Sequence, residues 1–283
     1  MFKYFILLIS LSLYAQTVSA QDTLDLFPEQ HGSLQYWTQT LTTPRPLKIH
    51  YLRADLTCPG LEVFTLPGND PDGSGPAESE LTSPTDLITR RHALAAINAN
   101  AFAGLPGTEN DIRGWYKNRP VDIQGMVVTD GKVVSPAQTG RTAFWLDTLH
   151  HPHIGDTDTQ SRVWQAISDW SSPLLINDKI IPDSTVSILH PRSALGFDES
   201  GKWLLLIVVD GRQNGYSEGV SLYELAMLFK AKGCTQSVNL DGGGSSIMLI
   251  QDPGGVIKTA NRPSGLTHRP IPVMLGIRAA HRK

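Results

Sequence analysis

The sequence predicts an α+β, or mixed α/β, fold in which one curved mixed β-sheet with flanking helices forms a single domain. Three successive segments of the C-terminal third carry this prediction. Trp203–Val209 is a continuous apolar run, which is typical of a strand buried on both faces. Residues 221–224 (Ser-Leu-Tyr-Glu) form a capping box that begins a helix, and residues 237–240 form a second short strand. A strand, a helix and a strand in this order normally make a right-handed crossover between parallel strands.

Residues 1–20 have the features of an export signal rather than of the fold. Lys3 supplies positive charge, residues 4–14 are mostly apolar, and residues 18–20 (Val-Ser-Ala) are of the kind that signal peptidases cleave. The apolar run is shorter than the roughly 20 residues that span a bilayer, and polar residues or prolines interrupt every later apolar run. An uncleaved anchor is the alternative. We expect an exported protein, periplasmic or secreted, without a transmembrane segment.

The composition narrows the class of partner and of site. The formal net charge is −3 and no basic tract occurs, so nucleic acid is not a predicted partner. The two cysteines, Cys58 and Cys234, are too few for a disulfide scaffold or a four-cysteine zinc site, and a bond between them is left open. His150, His151 and His153 lie in a proline-containing segment without a fitting acid nearby, which favours a solvated loop over a metal cluster.

Residues 21–85 are predicted to form strands and a loop. Residues 47–51 and 61–66 show the period-two alternation of strands. Residues 69–79 are rich in glycine, proline and acids, which is typical of an exposed loop. This region contains no motif that indicates a function, so we assign the functional domain to residues 86–283.

A helix and two further strands are predicted at the start of that domain. Ser83, a proline and an acid mark a helix start, and the helix is expected to end near Arg91. A buried strand follows at 93–97 and ends at Asn98. Asp-Gly within residues 129–132 suits the tight turn of a hairpin.

The last elements complete the predicted crossover. Leu222, Leu225 and Ala226 fall at helical spacing, and Gly233 is well placed to end the helix in a left-handed conformation. A third strand is predicted at 247–250.

Two acids follow the two strands of the crossover. Asp210 comes directly after the first strand and Asp241 after the second. If these strands are parallel, both carboxylates lie at the carboxyl edge of one sheet, which is where ligands bind in open α/β sheets. The interpretation fails if the strands are antiparallel or far apart.

Three consecutive glycines after Asp241 predict an anion site. Gly242, Gly243 and Gly244 cost chain entropy and bury no side chain, so we expect that their backbone is needed for binding. Glycine amides can form a concave site for phosphate oxygens, and Ser245 follows them. No Gly-Lys-Ser/Thr follows, so this is not a Walker loop. A flexible turn is the alternative, and the preceding buried strand favours the site.

Several segments together resemble the phosphodiester glycosidase domain. The resemblance is strongest in residues 190–197 (HPRSALGF), 208–234 (VVDGRQNGYSEGVSLYELAMLFKAKGC) and 239–248 (NLDGGGSSIM). Residues 98–102 (NANAF) resemble the family's Asn-rich or Gly-rich turn, with alanines where glycine is common. The closing segment, residues 261–270, is also similar, so the resemblance covers roughly residues 90 to 280.

The resemblance implies a hydrolase that cleaves the sugar C–O bond of a sugar-phosphodiester or glycan substrate. A phosphate leaving group needs positive charge around its oxygens more than it needs a proton. A carboxylate is needed at the sugar carbon, and a second one can activate water. The candidate catalytic residues are Asp241, Asp210 and, at lower rank because the capping box already explains it, Glu224. The candidate substrate- and phosphate-binding residues are Arg192, Arg212, Arg269, Asn98, Asn239, Gly242, Gly243, Gly244 and Ser245.

Two other functions remain open on the sequence alone. The same turn and arginines would suit a non-catalytic envelope module that binds a polysaccharide. A metal-dependent phosphodiesterase would cleave P–O instead of C–O. No cofactor is required, and a divalent cation between Asp210 and Asp241 is left open because paired carboxylates bind hard ions.

Overall fold

The computed structural model describes residues 23–30, 32–108, 111–157, 162–170 and 173–280. The predicted signal peptide, residues 1–20, lies outside these ranges. The described residues form two α-helices, α1 (Pro84–Arg90) and α2 (Leu222–Ala231). The strands in chain order are β1 (Leu24–Asp25), β2 (Leu34–Leu41), β3 (Leu47–Asp55), β4 (Leu61–Pro67), β5 (Ser79–Glu80), β6 (Ala95–Asn98), β7 (Phe102–Gly104), β8 (Pro120–Ile123), β9 (Val127–Thr129), β10 (Lys132–Ser135), β11 (Ala143–Asp147), β12 (Pro152–Gly155), β13 (Val163–Ser168), β14 (Pro173–Ile176), β15 (Lys179–Ile180), β16 (Arg192–Asp198), β17 (Trp203–Val209), β18 (Cys234–Asn239), β19 (Met248–Gln251), β20 (Ile257–Thr259) and β21 (Val273–Ala279).

These strands form four sheets rather than one. The largest has eight strands in the order β1-β2-β3-β17-β16-β18-β14-β15. Two five-stranded sheets have the orders β10-β9-β13-β11-β12 and β20-β19-β6-β21-β4, and a small sheet has the order β5-β8-β7. The predicted single curved sheet was therefore too simple, and the fold has fewer helices than we expected.

The prediction of a mixed sheet was wrong for the pairings between the described strands, which are all antiparallel. β17 and β18 do run in the same direction, because β16 lies between them and pairs antiparallel with both. The crossover through α2 therefore joins parallel strands that are not direct neighbours. The register places the ends of β17 and β18 on either side of the start of β16.

The continuous apolar run in β17 is explained by packing on both faces of the large sheet. Leu204, Leu206 and Val208 pack into a core shared with the other sheets. The intervening side chains, Leu205, Ile207 and Val209, pack into a second core that includes Leu225, Ala226 and Phe229 of α2. Burial on both faces does not require parallel pairing, which is why the pattern predicted the strand correctly but not its sheet.

The N-terminal segment belongs to the same sheet as the candidate site. β3 pairs with β17 over the whole length of β17, from Ile49 opposite Val209 to Asp55 opposite Trp203. The predicted strands at 47–51 and 61–66 are confirmed as β3 and β4, which are longer than expected. The predicted hairpin is also confirmed: Asp130 and Gly131 connect β9 and β10 with φ values of 51° and 75°.

Helix α2 begins and ends as its sequence predicts. The Ser221 side chain accepts from the backbone N–H of Glu224, and the Glu224 carboxylate accepts from the backbone N–H of Ser221. Gly233 adopts a φ of 84° directly after the helix, where a residue without Cβ is favoured. Neither α2 nor α1 is long and apolar enough to cross a membrane.

Candidate active site

The predicted acids lie at one edge of the eight-stranded sheet. Asp210 follows the end of β17, Arg192 starts β16, and Asp241 follows the end of β18. Neighbouring strands are about 4.8 Å apart, so three adjacent strands bring these residues into one region. Asn98 joins them from the end of β6 in another sheet. The expectation that Asp210 and Asp241 share an edge is confirmed, although β16 separates their strands.

Asp241 is half-buried and its backbone is fixed on both sides. Its backbone N–H donates to Ala99 O at 3.0 Å, and its carbonyl oxygen accepts from Asn98 Nδ2 at 2.7 Å. Burial raises the pKa of the Asp241 carboxyl to about 6, although hydrogen bonds from Ser245 and the Gly242 backbone and the charge of Arg269 oppose the shift. This carboxyl therefore changes its charge near neutral pH, as catalytic acids and bases often do.

Asn98 hydrogen-bonds to the backbone of Asp241 and to other protein groups rather than facing a ligand. Its side chain is buried, with Oδ1 accepting from Ser193 Oγ at 2.6 Å and from the Ile247 backbone N–H at 3.1 Å. Together with the bond from Nδ2 to Asp241, these contacts occupy both ends of the amide. The predicted role in orienting the acid fits this geometry better than a bond to a sugar hydroxyl.

Arg212 and Arg269 place their guanidinium groups against the glycine turn, residues 242–244, whereas Arg192 approaches it through Cδ because its Nε and Nη2 donate to Val220 O and Ile188 O. A Cβ atom on Gly242 would lie 3.8 Å from Arg192 Cδ. On Gly243 it would lie 3.0 Å from Arg212 Nη1, and on Gly244 it would lie 2.5 Å from Arg269 Nη2. A side chain at 243 or 244 would therefore displace a guanidinium group, and the φ of 60° at Gly243 also favours glycine. Arg269 Nη1 donates to Ser245 Oγ at 3.2 Å. The turn forms a short 3₁₀-helix, Gly243–Ser245.

The charges of these arginines are not paired in salt bridges, although the charge of Arg269 acts on Asp241. In the described ranges, no salt bridge includes Arg192, Arg212 or Arg269. Burial and the nearby charge of Arg212 lower the pKa of Arg192 to about 10. His190 Nδ1 lies 3.3 Å from Arg212 Nη2, and burial together with the charges of Arg192 and Arg212 lowers the pKa of this histidine. Like charges held together favour a bound anion.

Both carboxylate oxygens of Asp210 accept hydrogen bonds from the protein. The carboxylate has no exposed surface, and it accepts from Asn261 Nδ2 at 3.0 Å, from Tyr216 OH at 3.0 Å and from the Arg262 backbone N–H at 3.0 and 3.1 Å. His50 Nε2 lies 3.2 Å from the same carboxylate. Burial and the charge of Asp210 raise the pKa of Tyr216 to about 12, so the phenol remains a donor. Asp210 connects the loops at 216 and 261–262 to the sheet.

Three partners of Asp210 were missed by sequence reasoning. Asn261 and Tyr216 lie within segments that resemble the family, so their position offered a signal that we did not use. Asn261 also orders β19, because its Oδ1 accepts from the Met248 backbone N–H at 2.8 Å. His50 lies in β3, 160 residues before Asp210, and Tyr36 OH lies 2.9 Å from its Nδ1. Nothing local to β3 indicated this contact.

Glu224 and Asn239 are held by structural contacts. Arg45 Nη2 donates to Glu224 Oε2 at 2.6 Å, which adds an ion pair to the capping box. Burial alone would raise the pKa of Glu224, but the hydrogen bonds from Arg45 and Ser221 outweigh this effect and lower it. Asn239 is buried, and its Nδ2 donates to Trp170 O at 2.7 Å.

The arrangement around Asp210 does not favour a cation between the two acids. Its carboxylate oxygens already accept from N–H and O–H groups, and the described ranges contain no group of three or more His, Cys, Asp or Glu side chains that could hold a metal. The expectation that no acid lies near the three histidines was wrong, because Asp147 Oδ2 contacts His151 Nδ1 at 3.2 Å and His153 Nε2 at 3.3 Å.

Cys58 and Cys234 are free thiols, so the disulfide bond that the sequence left open is not formed.

A cavity of about 930 Å³ lies at the opposite end of the large sheet, where Leu149, His151 and Gly201 contribute to its lining. Cavity volume alone therefore does not locate this site; the arginines and Asp241 do.

Short segments of the chain match two known proteins. Over 66 residues the chain is 43% identical to the SPbeta prophage-derived uncharacterized protein YomE of Bacillus subtilis (strain 168). Over 65 residues it is 34% identical to the N-acetylglucosamine-1-phosphodiester alpha-N-acetylglucosaminidase of Bos taurus. Each match covers 23% of this chain but only 10% and 12% of the respective relatives, so the chain matches about a tenth of their length.

The fold is similar to that of a solved catalytic domain. The structure of the zebrafish N-acetylglucosamine-1-phosphodiester alpha-N-acetylglucosaminidase catalytic domain, auto-inhibited by its pro-peptide, superposes with a TM-score of 0.64 at 20% identity. The superposition covers 89% of this chain and 86% of that domain. At this identity the likeness shows a shared fold.

The family assignment depends on a longer match. The sequence model of the family described as Phosphodiester glycosidase matches residues 91–278, about two thirds of the chain. This range includes Asp210, Asp241 and all three arginines of the site. The resemblance and the expected class of hydrolase are confirmed at the level of the family: the chain belongs to the phosphodiester glycosidase family.

Proposed function

We propose that this protein hydrolyses a sugar-1-phosphodiester by cleaving the sugar C–O bond. Water supplies a hydroxyl to the sugar carbon and a proton to the phosphate oxygen, so the products are a free sugar and a phosphomonoester. The observation that carries the proposal is the group of three arginines near Gly242–Gly244 and Asp241, which form no salt bridge in the described ranges. The family and the substrate class in the name of the bovine relative support it.

The arginines supply what a phosphate leaving group requires. The phosphomonoester leaves as an anion, so its departure is favoured by positive charge and N–H donors rather than by an acid. Guanidinium groups bind phosphate oxygens in pairs. Arg212 and Arg269 provide these groups, and Arg192 adds positive charge nearby while its guanidinium donates to Val220 O and Ile188 O. The prediction that the glycine amides bind the phosphate does not fit Gly242 and Gly243, because the Gly242 N–H donates to Asp241 and the Gly243 N–H donates to Pro191 O at 2.9 Å.

Asp241 acts at the sugar carbon. As C–O cleavage proceeds, this carbon gains positive charge, which an ionised carboxylate stabilises or attacks. Asn98 and the backbone bond to Ala99 hold Asp241 in place. Asp210 is a positioning residue in this proposal, because its carboxylate is buried and holds Tyr216, Asn261 and the backbone of Arg262. Glu224 positions the start of α2.

The reaction as proposed uses no resident cofactor. Asp210 already accepts from protein donors, so its carboxylate is poorly placed to hold a cation. Metal analysis of the purified protein tests this point, since stoichiometric metal that is required for turnover would contradict it. We also propose that the protein is exported and that residues 1–20 are removed. Mass spectrometry of the mature N-terminus tests the cleavage.

The bond that breaks is tested with heavy-oxygen water. Residues 21–283 are incubated with N-acetylglucosamine-1-phospho-6-mannose methyl glycoside in H₂¹⁸O, and both products are analysed by mass spectrometry. We expect the label in the released sugar. Label in the phosphate would mean P–O cleavage and would contradict the proposal.

Two variants separate a hydrolase from a binding module. Asp241→Asn should abolish turnover while the folded protein still binds inorganic phosphate. Asp183→Asn is the matched control, since Asp183 is exposed and, among the described residues, its carboxylate accepts hydrogen bonds from Thr185 alone. If neither the parent nor the control turns over any diester of a panel of sugars while each still binds glycans, the protein is a binding module.

A further inference from the structure

Trp170 lies one strand beyond Asp241 along the edge of the large sheet, on the side away from Arg192. The strand order is β17, β16, β18, β14, and Trp170 comes shortly before β14 begins at Pro173. Its backbone N–H donates to Asn239 O at 2.8 Å, and its carbonyl accepts from Asn239 Nδ2 at 2.7 Å. Asn239 precedes Asp241 by two residues, so Trp170 is a near neighbour of the candidate catalytic carboxyl.

The Trp170 indole and the Arg141 guanidinium that lies over it form a stacked pair, which we call the platform. The indole is 39% exposed, and the Arg141 guanidinium carbon lies 4.5 Å from the ring centroid. Arg141 Nη2 also donates to Gln124 Oε1 at 2.7 Å, which fixes the guanidinium. The guanidinium lies over one face of the indole, so a ligand would pack on the other face or at the ring edge. An indole packs well against the apolar C–H face of a pyranose ring, and Arg141 can donate to hydroxyl groups in the cavity that it lines.

A cavity of about 340 Å³ opens beside this platform. Its volume lies within the range of about 300–1,000 Å³ that is typical of small-molecule sites. Asn100 connects it to the acid: Nδ2 donates to the carbonyl of the lining residue Met126, and Oδ1 accepts from the backbone N–H of the lining residue Ser168. Ala99, the residue before Asn100, accepts the backbone bond from Asp241. Other polar lining residues are Gln138, Thr139, Asp156 and Thr157.

Two buried acceptors flank Trp170 without partners. Asp169 Oδ2 and Asn239 Oδ1 have no hydrogen bond in the part of the chain that the structure describes, and both residues are fully buried. Buried oxygen acceptors ordinarily have a donor. Burial raises the pKa of Asp169 to about 6, against the opposing effects of the Thr142 backbone N–H and Arg141. Both atoms are enclosed by the protein, so the acceptors that a ligand reaches on this side of Asp241 are those of the cavity lining, where Asp156 and Gln138 suit hydroxyl donors better than an anion.

We propose that Trp170, Arg141 and the adjoining cavity form the subsite for the sugar that the reaction releases. The ligand class is a hexopyranose, with its apolar face on the indole and its hydroxyls toward Arg141 and the polar lining. The phosphate then occupies the arginine cluster on the other side of Asp241, so the scissile bond lies at that carboxyl. This inference rests on the proposed function, because it assigns the two halves of a sugar-1-phosphodiester to the two sides of Asp241.

Binding of the two halves is measured separately, so that the test does not depend on turnover. Saturation-transfer NMR and calorimetry are carried out on residues 21–283 with a panel of methyl hexopyranosides, including methyl α-N-acetylglucosaminide, and independently with inorganic phosphate. The variants are Trp170→Ala, Trp170→Phe and Arg141→Gln. Trp203→Ala is the matched control, because Arg53 lies over the Trp203 ring at 4.4 Å but this residue starts β17 at the opposite edge of the sheet.

We expect Trp170→Ala and Arg141→Gln each to weaken sugar binding about tenfold, which corresponds to the loss of one stacking or charged contact. Trp170→Phe should retain part of the affinity, and Trp203→Ala all of it. Phosphate binding should be unchanged in every variant. If no sugar of the panel binds the parent protein, or if Trp170→Ala and Trp170→Phe both bind sugar as the parent does, the inference is overturned. Sugar binding with the expected pattern but without hydrolysis of any diester would instead contradict the proposed function.

Discussion

Arg269 lies directly against the backbone of Gly244: a Cβ atom at position 244 would come within 2.5 Å of Arg269 Nη2. We expect Gly244→Ala to displace the guanidinium and to lower kcat/KM by about tenfold to a hundredfold, the effect of losing one charged hydrogen bond. The backbone of Gly244 does not have a positive φ, so the effect should come from the side chain and not from strain.

A matched glycine distinguishes this effect from a general loss of stability. Gly254 lies in the exposed turn after β19, where a Cβ atom would approach only Asp252, at 3.2 Å. Gly254→Ala should leave kcat/KM unchanged. Equal losses in both variants, or a full loss of thermal stability in Gly244→Ala, would contradict the proposed contact between the glycine turn and the leaving group.

The pKa of His190 reports the positive charge of Arg212 in the proposed anion site. Burial and the charges of Arg192 and Arg212 lower the pKa of His190. Arg212→Gln removes one of these charges, so the His190 pKa should rise. Phosphate bound to the parent protein should also raise it, because an anion favours the protonated ring. NMR titration of the His190 ring protons with and without phosphate measures both effects.

The control for this titration is an exposed arginine elsewhere. Arg90 is exposed at the end of α1, where its Nη1 donates to Asn69 Oδ1 at 3.4 Å rather than approaching His190. Arg90→Gln should change neither the His190 pKa nor phosphate affinity, whereas Arg212→Gln should weaken phosphate binding. A His190 pKa that does not respond to phosphate would mean that the anion binds somewhere else.

The pH dependence of turnover should follow Asp241. Its pKa is raised from 3.8 to about 6 by burial, and the proposed role requires the ionised form. We therefore expect kcat/KM to rise about tenfold per pH unit below 6 and to level off above it. Ser245→Ala removes a hydrogen bond that lowers this pKa, so the rising limb should move to higher pH. Asp169 has a similar pKa of about 6, and Asp169→Asn should leave the limb in place.

The raised pKa of Asp241 makes the stability of the folded protein depend on pH. A carboxyl whose pKa is higher in the folded state opposes folding when it is ionised, so Asp241 lowers stability as the pH rises from about 4 to above 6. Asp241→Asn should therefore melt at a higher temperature than the parent at pH 8, and the difference should disappear below pH 4. If Asp241→Asn instead melts at a lower temperature than the parent at pH 8, the pKa of Asp241 is not raised in the folded protein.

The sequence predicted the local elements around the site because each has a local cause. The apolar run of β17, the capping box of α2 and the glycines after Asp241 are determined by neighbouring residues. Strand pairing is not, because β16 enters between β17 and β18 through contacts that span the whole domain. For the same reason His50 and Trp170 were not predicted: each reaches the site only when distant strands pair.

Asp210 should matter for the fold as well as for turnover. Asp210→Asn keeps the size of the side chain but replaces one acceptor with a donor that faces Tyr216, Asn261 or the Arg262 backbone. Hydrogen bonds to a buried charge contribute about 1.5–3 kcal/mol, so we expect Tm to fall by about 5–10 °C. Tyr216→Phe should cause a smaller fall, since it removes one donor and leaves the carboxylate. Differential scanning calorimetry measures both, and an unchanged Tm in Asp210→Asn would contradict the positioning role.

Glu224 distinguishes a structural acid from a catalytic one. Glu224→Gln retains a capping-box residue but loses the ion pair with Arg45, which is partly exposed, so Tm should fall by about 1–4 °C. Arg45→Gln should produce a similar fall, because it removes the other half of the same pair. In both variants kcat at saturating substrate should equal that of the parent, since the Glu224 carboxylate binds Ser221 and Arg45 rather than the arginine cluster. A loss of kcat in Glu224→Gln that Arg45→Gln does not share would restore Glu224 as a catalytic residue and would require its carboxylate to leave the capping box during the reaction.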